Sequence, residues 1–320
     1  AMDQQAYCMQ IKKVGAERQR DGNQSLSPDE VIQLRGIIGA LIYLCFTRPD
    51  IHADLTLLAQ RITKATVKDL RAANSLVDRA KRNSSLGLKF PKLTPPLHVL
   101  AISDASHASG GSSYAIEGTF VALVETPSLF KNDLRDGEYP GSQLNFKGHL
   151  LFCGAHRSKR ISHGTSHAES LGVYQASLAG EQIAQRITEL YSPYHLSLQN
   201  FMELDDQGLW EIGVSSVTDC FDVIQLLVGQ RGVPQDRSQR LVVLSLRERR
   251  LISKIRNLVH VRTQDMVANC LTKHVSHCPQ LHSCLTSGVV SFKHTVTLFN
   301  ALPPRHDEDY FEHNLEDMNQ

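Results

Sequence analysis

Apolar residues recur at helical spacing between Val31 and Cys45, with Leu34, Ile37, Ile38, Leu41, Ile42 and Cys45 on one stripe. Just ahead, Ser27-Pro28-Asp29-Glu30 supplies an N-cap, a first-turn proline and a capping glutamate, so the pattern predicts a helix that starts there. Thr47-Arg48-Pro49-Asp50 breaks that helix and restarts it as DIHADLTLLAQRI, and VKDLRAANSLVDRAKRN carries a third helical pattern. From Leu97 the period becomes that of strands: LHVLAISD, YAIEGTFVALVE and HLLFCGA predict an antiparallel meander. The stretch between the second and third, TPSLFKNDLRDGEYPGSQLNFKG, is rich in Gly, Pro, Asn and Asp and is expected to be an inserted loop. A long amphipathic helix, SHAESLGVYQASLAGEQIAQRITELY, precedes a strand in EIGVSSVTD and a short helix in FDVIQLLVG. RSQRLVVLSLRERRLISK reads as helix, NLVHVRT as the fifth strand and MVANCLTKH as a last helical turn.

This succession predicts an α/β protein in four stretches. Residues 1–24 read as irregular, 25–96 as a helical segment, 97–275 as a mixed five-stranded sheet flanked by helices, and 276–320 as an extension. Past residue 300 the extension becomes polar and acidic (RHDEDYFEHNLEDMNQ), which reads as a loose tail. A hydrophobic content of 41% over 320 residues is enough to fill a core. The formal charge of +1 excludes a uniformly basic nucleic-acid coat, so any such contact has to come from local patches. Seven scattered cysteines, several inside apolar runs such as LIYLCF and LLFC, read as small buried side chains of an intracellular protein, cytoplasmic or nuclear. No run of about 18 apolar residues occurs, so no membrane span is expected. The N-terminus lacks the apolar stretch of a signal peptide, and a chain opening on Ala1 reads as a piece of something longer.

Candidate chemistry sits at the ends of these elements. Asp104 closes the first strand, Glu169 lies near the start of the long helix, Asp219 closes the fourth strand, and Asn269 lies in the final turn. Each alone has an ordinary explanation, since acids cap turns and favour the first turn of a helix. Their joint placement suggests converging oxygen ligands for metal ions. Asp265, four residues before Asn269, could supplement an amide there only if the helix shifted. Arg240, Arg247 and Lys254 recur every seven residues on a helix whose only acid is Glu248, and so predict a shared basic face for phosphate contact or mere solvation. Arg157, Lys159 and Arg160 are similar candidates. A zinc site in the stretch containing Cys270, His274, His277, Cys278, His282 and Cys284 is disfavoured because no C-x-x-C knuckle occurs. An integrase-like arrangement would recruit Glu248 in place of Glu169. No G-x-S-x-G occurs, and the adjacency of Ser162 and His163 gives no triad.

The chain resembles the connection segment and ribonuclease H domain that end the reverse transcriptase polyprotein of copia-type LTR retrotransposons. The family's G-x-L-x-Y-L-x-x-T-R-P-D-I is met by Gly39, Leu41, Tyr43, Leu44, Thr47, Arg48, Pro49, Asp50 and Ile51. The strand ends at Asp104-Ala105-Ser106 and Thr218-Asp219, and the text around Ser166, Ala168 and Glu169, follow in order. The family's T-x-x-x-x-A-D-x-L-T-K is met by Thr263, Ala268, Leu271, Thr272 and Lys273, with Asn269 in place of the aspartate. The similarity spans about residues 30–275, and its first and last motifs are long. No Y-x-D-D palm motif is present, so a polymerase partner would lie upstream. The resemblance implies a ribonuclease H-like fold in which Asp104, Glu169, Asp219 and Asn269 hold two Mg2+ ions and RNA paired to DNA is hydrolysed. It also implies impairment, because an amide removes one negative charge from a site for two dications. Asn269→Asp is then expected to restore cleavage. The competing expectation is an inactive remnant of a retroelement that binds nucleic acid or merely folds.

Overall fold

A computed structural model of the chain describes residues 1–15, 20–107, 114–127, 130, 136–192, 197–208, 210–273 and 278–300. The N-terminal part holds β1 (Met2–Asp3), α1 (Gln5–Gln10), α2 (Pro28–Leu44), α3 (His52–Gln60), α4 (Val67–Arg82) and β2 (Gly87–Leu88). The expected capping box starts α2: Ser27 Oγ accepts from the Glu30 amide at 3.3 Å, and Glu30 Oε2 accepts from the Ser27 amide at 2.8 Å. Leu34, Ile37, Ile38 and Leu41 of α2 pack with Leu55, Leu70 and Val77 into one helical core. Residues 1–24 are not wholly irregular as expected. Cys8 of α1 and Ile11 seal the same core, and β1 pairs antiparallel with β2. Arg48, only 1% exposed, fixes the break between α2 and α3. Its guanidinium donates to both Asp50 carboxylate oxygens at 2.8 Å and to the carbonyls of Ala80 and Asn83 at the end of α4.

The rest of the chain builds one mixed sheet. In order come β3 (Leu97–Ser106), β4 (Tyr114–Glu125), β5 (Gly137–Tyr139), β6 (Phe146–Ile161), α5 (Thr165–Tyr191), α6 (Leu198–Asp206), β7 (Gly213–Thr218), α7 (Phe221–Leu227), α8 (Arg237–Leu251), β8 (Asn257–His260), α9 (Asn269–Thr272), α10 (Pro279–Ser287), β9 (Val289–Val290) and β10 (Val296–Asn300). The strand order is β5-β10-β8-β7-β3-β4-β6-β9. β3, β4 and β6 form the expected antiparallel meander, and β7 and β8 run parallel to β3. Among the described residues the sheet therefore has eight strands rather than five. One of the extra strands, β5, lies in the segment expected to be a loop, and β9 and β10 lie in the expected extension; β10 fits between β5 and β8. These additions are two to five residues long, too short to show a period. β6 also runs further than HLLFCGA, because His156 and Arg157 continue the pairing with Glu117 and Ile116 despite their polarity. The acidic stretch 301–320 lies outside the described residues.

Side-chain alternation along β3 sorts the layers. Val99 and Ala101 face α5, whereas Leu100 and Ile102 face α9 and α10, so the strand is buried on both sides. Gly180 lets α5 lie close to the sheet; a Cβ there would meet Ala101 Cβ at 3.0 Å and Val214 Cγ1 at 3.1 Å. The helical part docks on the sheet through α3, where Thr56 Oγ1 donates to the Ala155 carbonyl of β6 at 3.3 Å. Among the described residues, no helix is long and apolar enough to cross a membrane.

Candidate metal centre

Because β3 alternates strictly, Asp104 falls on the same face as Leu100 and Ile102 and points beneath α9. Asp219 follows the last residue of the neighbouring parallel strand β7, and Glu169 reaches the same end of the sheet from the first turns of α5. One carboxylate oxygen from each of Asp104, Glu169 and Asp219 lies within 4.8 Å of the others, although 115 residues of sequence separate the first from the last. Among the described residues this is the only group of three or more His, Cys, Asp or Glu side chains placed to share an ion. Asp104 and Glu169 are buried and Asp219 is half-buried. Glu169 Oε2 accepts from the Ala105 amide at 3.2 Å, which ties the helix start to the strand end. His260, at the end of β8, shares a hydrogen bond of 3.1 Å with the Asp219 carbonyl.

Crowding of like charge away from water sets the electrostatics. Burial, then the charges of Asp104 and Asp219, push the Glu169 carboxyl up to about 9. Burial likewise raises the Asp104 carboxyl, against the pull of Lys273 and of the Thr272 hydroxyl. Three acidic oxygen donors converging where their own ionisation is penalised suit a hard divalent cation, whose charge removes that penalty.

The Asn269 side chain, at the start of α9, is held by two hydrogen bonds. Its Nδ2 donates to the Thr263 carbonyl at 2.8 Å, and its Oδ1 accepts from Lys273 Nζ at 2.8 Å. The same ammonium lies 3.6 Å from Asp104 Oδ2. Thr272 Oγ1 also donates to Asp104 Oδ2, and Ser106 Oγ donates to the Thr272 carbonyl at 3.3 Å. Thr272 and Lys273 thus line the site directly, a role that their place in the sequence motif did not reveal. Gly118, paired with Asp104 across the sheet, makes the contact possible; a Cβ there would meet Thr272 Cγ2 at 2.8 Å and Leu271 Cβ at 2.9 Å.

Other candidates fall elsewhere. Asp265 does not supplement Asn269: it is buried and accepts from the amides of Lys293 and His294 and from Gln280 Nε2, in the segment leading to β10. Glu248 is exposed on α8 and takes no part in the cluster. The expected basic face is not one helical surface, because α8 ends at Leu251 before Lys254, and the three cations are engaged within the protein. Arg240 donates to the carbonyls of Pro234 and Gln235, Arg247 to those of Leu226 and Arg231, and Lys254 pairs with Asp205 at 2.9 Å. Arg157 and Lys159 are exposed on β6, with the Arg157 guanidinium 4.0 Å above the Tyr114 ring, while the Arg160 side chain lies outside the described residues. Cys270 and Cys284 are buried in the apolar core, and His274 and His277 lie outside the described residues. No protein-family model, curated protein or solved structure matches this chain.

Proposed function

We propose that the chain is a ribonuclease H-like nucleic-acid hydrolase whose Asp104, Glu169 and Asp219 carboxylates hold a divalent cation, Mg2+ in the cell, against the scissile phosphate of RNA paired to DNA. The observation that carries this reading is the convergence of those three carboxylates at one end of the sheet. The β3-β4-β6 meander followed by parallel β7 and β8, with α5 crossing between, supports the ribonuclease H-like assignment. A bound dication there supplies charge for activating water and for stabilising the leaving oxygen. The chain's own part is to fix ligand geometry: the Ala105 amide orients Glu169, and the Thr272 hydroxyl orients Asp104. Glu169, whose carboxyl is raised by burial and then by its acidic neighbours, would have to release its proton to hold a cation, so the affinity of the site for metal would rise with pH. Arg157 and Lys159, exposed on β6, are available to the hybrid backbone.

A second reading, binding without cleavage, is favoured by one specific observation: at position 269, where the family resemblance implies a fourth carboxylate, stands an amide, which accepts from the Lys273 ammonium that lies 3.6 Å from Asp104. End-labelled hybrid, incubated with the protein in Mg2+ and separately in Mn2+, tests both. Slow cleavage of the RNA strand, faster in Mn2+ and abolished by Asp104→Asn, is expected. Hybrid retention with no product in either metal would select the second reading, and product that survives Asp104→Asn would refute the site.

A further inference from the structure

We propose that Cys270 and Cys278 form a peroxide-responsive dithiol, which closes to a disulfide that clamps α9 to the start of α10. The inference is independent of the metal-centre reading, because it rests on sulfur chemistry beside the carboxylates and not on what they hold.

Four cysteines from distant parts of the chain meet in one apolar core: Cys270 and Cys284 lie within it, and Cys153 and Cys278 pack against it. All are free thiols. Cys270 belongs to α9 and Cys278 is the N-cap of α10. Their side chains share a hydrogen bond, so the two sulfurs already face each other. The pair is also asymmetric, as a nucleophile and its resolving partner need to be. Cys278 is half-buried, within reach of a small oxidant. The Cys270 thiol first, and then the backbone amides of Leu281 and Gln280 at the start of α10, hold the Cys278 thiol below its ordinary range against the opposing effect of burial. Cys270 is buried; its contact with Cys278 and then its burial keep its proton on, and its Sγ donates to the Val267 carbonyl at 2.8 Å. Burial pushes the Cys284 thiol up to about 12 and raises that of Cys153, which leaves Cys278 as the reactive member of the group.

Hydrogen peroxide is the oxidant. The Cys278 thiolate attacks one peroxide oxygen; an S–O bond forms, the O–O bond breaks, and the departing hydroxide takes up the proton that the thiol released and leaves as water. The Cys270 sulfur then attacks the sulfenic sulfur of Cys278. An S–S bond forms, the S–O bond breaks, and the second hydroxide carries off the Cys270 proton as water. Two thiols lose two electrons, and one peroxide becomes two waters. The bridge closes a ring that takes in Thr272 and Lys273, the residues set against Asp104. Oxidation therefore restrains the segment that lines the carboxylates and alters no carboxylate.

The full chain, reduced and freed of reductant, is treated with hydrogen peroxide in chelator at pH 7.5, alkylated with N-ethylmaleimide in denaturant and mapped by mass spectrometry. A Cys270–Cys278 crosslink that dithiothreitol reverses is expected, with Cys8, Cys45 and Cys284 alkylated. In Cys270→Ser the sulfenic acid on Cys278 should persist and be trapped by dimedone, and in Cys278→Ser the Cys270 thiol should stay reduced. Amide exchange of Cys270–Lys273 should slow at least about threefold once the bridge forms. The map of the unaltered protein decides the pairing even if a variant does not fold. A crosslink from Cys278 to any other cysteine, Cys270 and Cys278 both still alkylated after peroxide treatment, or unchanged exchange in α9 of the bridged protein would overturn the proposal and leave the metal centre standing.

Discussion

Glu169 carries a large electrostatic penalty, and that penalty has a measurable sign. Its ordinary value is 4.5 and in the folded protein it is pushed up to about 9, so between those values the native state holds a proton that the unfolded chain releases. The stability this provides is complete below the ordinary carboxylate range and is lost as pH rises towards and through about 9; the raised Asp104 carboxyl acts in the same direction. In chelator, the melting temperature should fall across this window. Glu169→Gln should flatten the fall and raise the melting temperature at pH 8.5 by about 2–6 °C, with little change at pH 5. Melting curves with the same pH slope in both proteins would show that Glu169 is not the group being strained. The three carboxylates were legible in the sequence because each ends a strand or opens a helix. Thr272 and Lys273 were visible only as motif letters, since their partner Asp104 is 168 residues from Thr272 and no local period encodes that contact.

Elements were read well where they are long and periodic. The capping box that starts α2, the Arg48 break and the extent of α5 follow from caps, breakers and amphipathic spacing. α8 shows the limit of such reading. Its helical pattern is real, but the fate of Arg240 and Arg247 depends on carbonyls at Pro234 and Leu226, which the neighbouring loop and α7 bring into reach. A seven-residue repeat of cations carries no information about those acceptors. Gly118 is a similar case: in the sequence it is a glycine within a strand, and in the fold it is the space that α9 occupies. Gly118→Ala should therefore destabilise the protein by about 1–3 kcal/mol and speed amide exchange in α9, because the new methyl group meets Thr272, Leu271 and the Ala268 carbonyl oxygen. A denaturation midpoint within error of the unaltered protein, with α9 protection intact, would mean that α9 does not rest on β4 as described.

At the scale of the whole molecule, α10, β9 and β10 complete the fold and are not an appendage, because β10 fills the place between β8 and β5. Strands this short leave no alternation in the sequence, and the segment's weak pattern hid its place in the sheet. Asp265 is its anchor, accepting from two successive backbone amides, with His294 Nδ1 3.0 Å away. Asp265→Ala should cost about 1–3 kcal/mol by leaving those part-buried donors without their acceptor, and hydrogen exchange should rise in β10 before it rises in β3. Uniform exchange across both strands would argue against a separable anchor. The placement of the centre, at one end of β3 and β7 beneath α9, depends on this whole assembly. Crystals of the full chain soaked in MnCl2 and recorded near the manganese absorption edge test it most directly. An anomalous peak bonded to oxygens of Asp104, Glu169 and Asp219, and absent from Asp104→Asn crystals, is expected. No peak among those three carboxylates at saturating Mn2+, or a peak unaffected by Asp104→Asn, would contradict it.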